Sequence, residues 1–192
     1  MSALPGPAAY TEQIGEVLLT EEQIAGKVAD LAAEVSRDYA ERRLVLVGVL
    51  NGSVVFLSDL LRKLTVPAEI EFVGASSYGD GTVSRGACEL TKDLDRPIGG
   101  KHAVVVEDIV DTGRTLAAIA ECLRAKGAAS VEACALLDKP SRREVDFHPR
   151  YVGFEIPDRF VVGYGLDFAH HYRGLPYVAV LKPEAYESPT QE

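Results

Sequence analysis

The chain has 192 residues, 47% of them hydrophobic, and carries a formal net charge of −9. That length and apolar share suit one α/β domain with a substantial core. The acidic balance speaks against a general nucleic-acid binder, which carries a basic footprint, and no apolar run approaches the roughly 20 residues that cross a membrane.

The opening "MSALPGPAAY" has no basic segment followed by an apolar stretch, so no signal peptide is expected and the cytoplasm is the expected compartment. The three cysteines, Cys88, Cys122 and Cys134, lack metal-ligand spacing and are expected as free thiols in a reducing environment. From Thr20, "TEEQIAGKVADLAAEVSRDYA" predicts an amphipathic helix. Thr20 and Gln23 form a capping-box pattern, and Ile24, Val28, Leu31, Val35 and Tyr39 recur at helical spacing. "RLVLVGVL" is a short continuous apolar run, the pattern of a strand buried on both faces. "NGS" turns the chain into a second helix, "VVFLSDLLRKL", and "AEIEFVGASS" predicts another strand.

The segment "YGDGTVSRGACELTKDLDRPIGG" has no sustained period and is predicted as a long loop, a length that is uncommon unless the loop works. "HAVVVEDI" is the clearest central strand, followed by the helix "TLAAIAECLRAKG" closed by Gly127. "SVEACALLD", "YVGFEIP", "FVVGYGLDF" and "YVAVLKP" predict the remaining strands, and the last residues look like a frayed tail. Strands alternating with helices imply a mainly parallel central sheet flanked by helices on both sides. A single domain over 1–192 is expected, with a small hood subdomain from about 11–40 and 150–182. In such folds ligands sit beyond the carboxyl ends of the strands.

The stretch "VVVEDIVDTGRTL" (Val104 to Leu116) carries the chemistry. A buried valine run breaks into adjacent acids, Glu107 and Asp108, and a third acid, Asp111, precedes a Thr-Gly pair. The backbone amides from Asp111 to Thr115, with the hydroxyls of Thr112 and Thr115, suit an anion at a helix N-terminus. Gly113 lets the backbone approach it closely. Acids would repel a lone phosphate, so the neighbouring carboxylates point to something else. Ribose hydroxyls donate to carboxylates, and Mg²⁺ takes oxygen ligands shared with a phosphorylated substrate. The segment is not a Walker loop, because it lacks G-x-x-x-x-G-K-[ST].

This stretch resembles the signature of the type I phosphoribosyltransferases for 5-phosphoribosyl-1-pyrophosphate (PRPP): apolar residues, two acids, two apolar residues, Asp-Thr-Gly and a later Thr. "LLDKPSRR" and "VGFEIPDRFVVGYGLDFAHHYRGLPYV" are similar to the hypoxanthine-guanine branch, and the likeness runs from about Thr11 to Lys182. The resemblance implies Mg²⁺-dependent transfer of phosphoribosyl from PRPP to N9 of a 6-oxopurine, in purine salvage, by a homodimer or homotetramer.

By the same resemblance, Glu107, Asp108, Asp111, Thr112, Gly113, Arg114 and Thr115 would hold the ribose phosphate, with Asp111 as general base. Lys139 would donate to the purine 6-oxo oxygen, Phe160 would stack on the ring, and Val161 would bond the base edge through its backbone. Asp167 would serve the base pocket and, with Glu107 and Asp108, the metal. Leu50, Asn51 and Gly52 occupy the position of the family's pyrophosphate loop, and Arg173 would contact the same group. Asn51 stands where the family often has Lys or Arg, which leaves the backbone role. Ser77 and Tyr78 match the Ser-Tyr pair of the family's mobile loop, here about 76–95. Three rivals stay open on sequence: transfer to another base such as xanthine or a pyrimidine, a PRPP-sensing regulator that binds nucleic acid, and an α/β domain with decayed activity, for which Asn51 is the only hint. The four histidines are assigned ordinary packing or surface roles.

Overall fold

The computed structural model describes residues 12–75 and 90–186. The elements in chain order are β1 (Ile14–Leu19), α1 (Glu21–Asp38), β2 (Leu44–Leu50), α2 (Val54–Lys63), β3 (Ala68–Gly74), β4 (His102–Val110), α3 (Arg114–Ala125), β5 (Ser130–Asp138), β6 (Tyr151–Glu155), β7 (Val161–Val162) and β8 (Val178–Leu181).

The continuous apolar runs become central strands because both sheet faces are covered. Five strands pair in the order β3-β2-β4-β5-β6, all parallel. Side chains alternate between two cores. Leu44, Leu46, Val104 and Val106 pack with Ile24 and Val28 of α1 and Phe56 and Leu60 of α2. Val45, Val47, Ala103 and Val105 pack with Leu116, Ile119 and Leu123 of α3 on the other side. Each of the Val, Leu, Ile and Phe side chains among these, fully buried, stabilises the fold by about 1.5–3 kcal/mol. Helix α1 begins at the expected capping box: the Thr20 hydroxyl accepts from the Gln23 amide at 3.3 Å, and the Gln23 side chain accepts from the Thr20 amide at 2.8 Å. No described helix is long and apolar enough to cross a membrane.

A second sheet, antiparallel and ordered β1-β8-β7, forms the hood. It is narrower than the spans 11–40 and 150–182 suggest. Helix α1 belongs to the main body, packed against α2, and β6 is the edge strand of the parallel sheet. Strand β1 was not predicted, since "IGEVLL" is half exposed and pairs with a strand far along the chain. The predicted strand "FVVGYGLDF" shrinks to Val161–Val162, because Gly163, Tyr164 and Gly165 adopt positive φ of 99°, 50° and 102°. The thiol expectation also needs correcting: Cys134 is a buried free thiol, but Cys122 is disulfide-bonded, and Cys88 lies outside the described residues.

Asp38 ties the end of α1 to β6, accepting from the Tyr151 hydroxyl at 2.9 Å and from Arg150 at 2.8 Å. The Tyr151 hydrogen bond, ahead of the Arg150 guanidinium, holds the Asp38 carboxyl below its ordinary value of 3.8. A lowered folded-state pKa adds stability above the unfolded value and loses it as pH falls through the folded one. An Asp38→Asn variant should therefore melt a few degrees below the native chain at neutral pH. That gap should shrink as the pH falls below 3.8, which thermal melts across an acid series will check.

Candidate active site at the carboxyl ends of the parallel strands

Strand β4 pairs with β2 only as far as Val106, opposite Gly48, but stays paired with β5 to Val110. Glu107 and Asp108 therefore lie inside the strand, as "HAVVVEDI" predicted, where it parts from β2. Asp108 is buried, its Oδ1 accepting from the Ile109 amide at 3.0 Å. Glu107 Oε2 is buried without a hydrogen-bond partner. Burial, then the Asp108 charge beside it, pushes the Glu107 carboxyl well above the ordinary 4.5. Burial also raises Asp108 above 3.8. A buried carboxylate lacking donors is costly, and such perturbed pairs cluster at working sites.

After β4 the chain turns through Asp111 and Thr112 to Gly113, which at φ 81° immediately precedes α3. Asp111 Oδ1 lies 3.5 Å from Lys139 Nζ, an ion pair without hydrogen-bond geometry. Lys139, only 9% exposed in its side chain, also lies 3.5 Å from Asp158, which pairs with Arg142 at 3.2 Å. The Lys139 amide donates to the Val110 carbonyl at 2.9 Å, so the exit of β5 is fastened to the exit of β4. Arg114 points outward, exposed, to Glu144 at 2.7 Å.

At the end of β2 the Leu50–Asn51 peptide is cis. Gly52 presses against the acid pair: a Cβ there would lie 2.5 Å from Asp108 Cγ and collide with the carboxylate oxygens. Gly165 in turn packs on the Gly52 carbonyl, where a Cβ would clash. Arg173 donates to the Gly165 carbonyl at 2.6 Å and pairs with Asp167 at 2.7 Å, while Asp167 accepts from the His170 amide at 3.0 Å. The guanidinium of Arg173 acts on Asp108 too, partly offsetting the upward shift of its pKa. The Leu50–Gly52 turn, the acid pair and the Asp167–Arg173 pair thus gather at one point. Among the described residues no three His, Cys, Asp or Glu side chains gather closely enough to cage a metal ion by themselves.

Phe160 is 40% exposed, with its ring edge-on to Phe168 at 5.6 Å and stacked on Tyr186 at 5.0 Å. Val161 is buried in the hood sheet, opposite Val180. Ser77 and Tyr78 lie outside the described residues, as does most of the loop 76–95. A cleft of about 370 Å³ between α1, α2 and the hood reaches this site only at Arg173.

Asp138, Asp158, Arg143 and Tyr186 were not singled out from sequence. Asp138 carried a usable signal, since it repeats the β4 pattern of a charge at the end of a buried strand. Tyr186 gave none, being one aromatic in a tail that looked frayed.

Comparisons with known proteins agree on the family. The sequence profile of the phosphoribosyl transferase domain matches residues 16–169. The chain is 46% identical over 175 residues to the hypoxanthine-guanine phosphoribosyltransferase of Bacillus subtilis, covering 91% of this chain and 97% of that one. It is 47% identical over 173 residues to the Staphylococcus aureus protein of the same name, covering 90% and 97%. A crystal structure of a Staphylococcus aureus hypoxanthine phosphoribosyltransferase superposes with a TM-score of 0.87 at 42% identity, covering 96% of this chain and all of that one. A ternary substrates complex of the Trypanosoma cruzi hypoxanthine phosphoribosyltransferase, a mutant form, gives 0.85 at 39% identity over 92% of this chain. With its strand order, its strand-end acids and these likenesses in hand, the chain belongs to the phosphoribosyl transferase domain family.

Proposed function

We propose that the chain transfers a 5-phosphoribosyl group from PRPP to N9 of hypoxanthine or guanine, releasing pyrophosphate, as a purine-salvage enzyme. One observation carries the reading: an acid pair with one buried, unpaired oxygen adjoins a Gly113-led helix N-terminus. That arrangement suits a ligand bearing both hydroxyl donors and a phosphate. The names of the relatives supply the 6-oxopurine, and the nearly buried Lys139 suits its O6 acceptor. The proposal extends to a homodimer or homotetramer acting in the cytoplasm, as the resemblance in sequence implies.

In this mechanism the amides and hydroxyls of residues 112–115 hold the 5′-phosphate at the N-terminus of α3. Glu107 and Asp108 accept from the ribose hydroxyls and fix the sugar beside the Leu50–Gly52 turn. The purine lies against Phe160, with Lys139 donating to O6 and the Val161 backbone bonding the base edge. Asp111 takes the ring proton at N7 as N9 attacks C1, and the C1–O bond to pyrophosphate breaks with inversion. Like other glycosyl transfers, this passes through an oxocarbenium-like state. Arg173 and the amides around Gly52 stabilise the negative charge that collects on the departing pyrophosphate. The oxygen-only donors Glu107, Asp108 and Asp167 fit Mg²⁺, which is commonly held by one or two carboxylates plus substrate phosphates and water rather than by a protein cage. When bound, Mg²⁺ would neutralise phosphate charge in the departing group.

A panel of bases tests the assignment. The chain with PRPP and Mg²⁺ should convert hypoxanthine and guanine to IMP and GMP, and leave adenine and uracil untouched. Replacing Lys139 by Met should raise the KM for hypoxanthine roughly 10-fold or more, since an unmet buried polar contact typically costs about 1–3 kcal/mol. Efficient product from uracil, or an unchanged KM in that variant, would contradict the purine pocket.

A further inference from the structure

The loop after β5 grips the turn after β4 from behind. Arg143, 9% exposed in its side chain, donates through Nη1 to the Asp111 carbonyl at 2.7 Å. Through Nη2 it donates to Asp138, whose side chain is 8% exposed. Its Cδ and Nη1 stand 3.0 and 3.2 Å from where a Cβ of Gly113 would lie. One residue on, the Glu144 amide donates to the Thr112 carbonyl at 3.0 Å. Two successive carbonyls of the turn are therefore pulled toward the 143–144 segment.

A trans peptide is planar, with its N–H opposed to its C=O. Drawing the Asp111 and Thr112 carbonyls toward Arg143 and Glu144 turns the Thr112 and Gly113 amides the opposite way, away from the 143–144 segment. The same contact fixes the backbone of Asp111, and with it the carboxylate near Lys139. Neither Arg143 nor Asp138 has a part in the mechanism above.

We infer that Arg143, anchored by the buried Asp138, is a positioning residue that orients the Asp111–Gly113 peptides for the 5′-phosphate of PRPP. The inference rests on the proposed function, since it presumes that PRPP occupies this turn. A purely structural ion pair would produce a different pattern: lower stability, with the constants for both substrates moving together.

The discriminating experiment is a kinetic split in Arg143→Lys, Arg143→Met and Asp138→Asn, with thermal melts alongside. Lysine keeps the charge but lacks the planar fork that spans two acceptors at once. In Arg143→Lys the KM for PRPP should rise about 10-fold or more, because small misplacements at a reacting site cost up to ~10²-fold. The KM for hypoxanthine should stay within about 3-fold, as expected if the base pocket is unaltered. Asp138→Asn should shift the PRPP constant in the same direction by less, and it carries the same test if an Arg143 variant is not recovered folded. An unchanged PRPP constant, or equal shifts for both substrates tracking the loss in melting temperature, would overturn the inference while leaving the function standing. A native chain that makes no nucleotide would instead overturn the functional reading, and this inference with it.

Discussion

An Asp111→Asn variant should lose about 10²–10⁴-fold in kcat, the usual contribution of a positioned general base. The change is nearly isosteric and leaves the main chain of the turn intact. The Asp111 carbonyl still accepts from Arg143, so the peptides beyond it keep their orientation. The KM for PRPP should therefore move little, while turnover collapses. The Lys139 contact at 3.5 Å weakens when the carboxylate becomes an amide, so a modest rise in the KM for the base is also expected. Steady-state kinetics with each substrate varied in turn separates these effects. A kcat within a few-fold of the native value would remove Asp111 from the proton transfer.

Gly52→Ala should damage both stability and turnover. Its Cβ has no room, because the Asp108 carboxylate occupies that position and Asp108 is buried. The carboxylate cannot swing aside freely: its Oδ1 is tied to the Ile109 amide. The turn must move instead, and the Gly52 carbonyl beneath Gly165 moves with it. Overpacking of this kind costs about 1–3 kcal/mol of stability, and a displacement near 1 Å in a positioned site costs up to ~10²-fold in rate. A drop of that order in kcat/KM for PRPP, with a lower melting temperature, is the expected result. Native-like kinetics would mean that the turn does not face the departing pyrophosphate.

The parts of this molecule that could be read from sequence are those whose cause is local. The valine run of β2 and β4 announces strands buried on both faces, and the capping box at Thr20 announces α1. The acid pair stood out because adjacent carboxylates at the end of a buried run have no local structural reason. What escaped depends on contacts distant in sequence. Strand β1 is defined by pairing with β8, more than a hundred residues away. Arg143 reads as one of two arginines in a polar loop until the fold sets it under the Asp111 carbonyl. Strand β7 is shorter than the apolar pattern of "FVVGYGLDF" predicts, because that pattern hides the positive φ at Tyr164. The site residues fell into two groups for the same reason. Glu107, Asp108 and Asp111 were legible as chemistry, whereas Lys139, Phe160 and Arg173 gained roles only through resemblance, since each alone suits a surface or a core. The structure brings Lys139 to Asp111 and Arg173 to Asp167.

The central claim is that the site at the ends of β2, β4 and β5 converts PRPP, rather than merely holding it. Its most direct test is to incubate the native chain with PRPP, Mg²⁺ and hypoxanthine and to quantify IMP and pyrophosphate together. The account predicts equal amounts of both products, formed catalytically. PRPP binding without either product would contradict it and would fit a sensor built on the same fold.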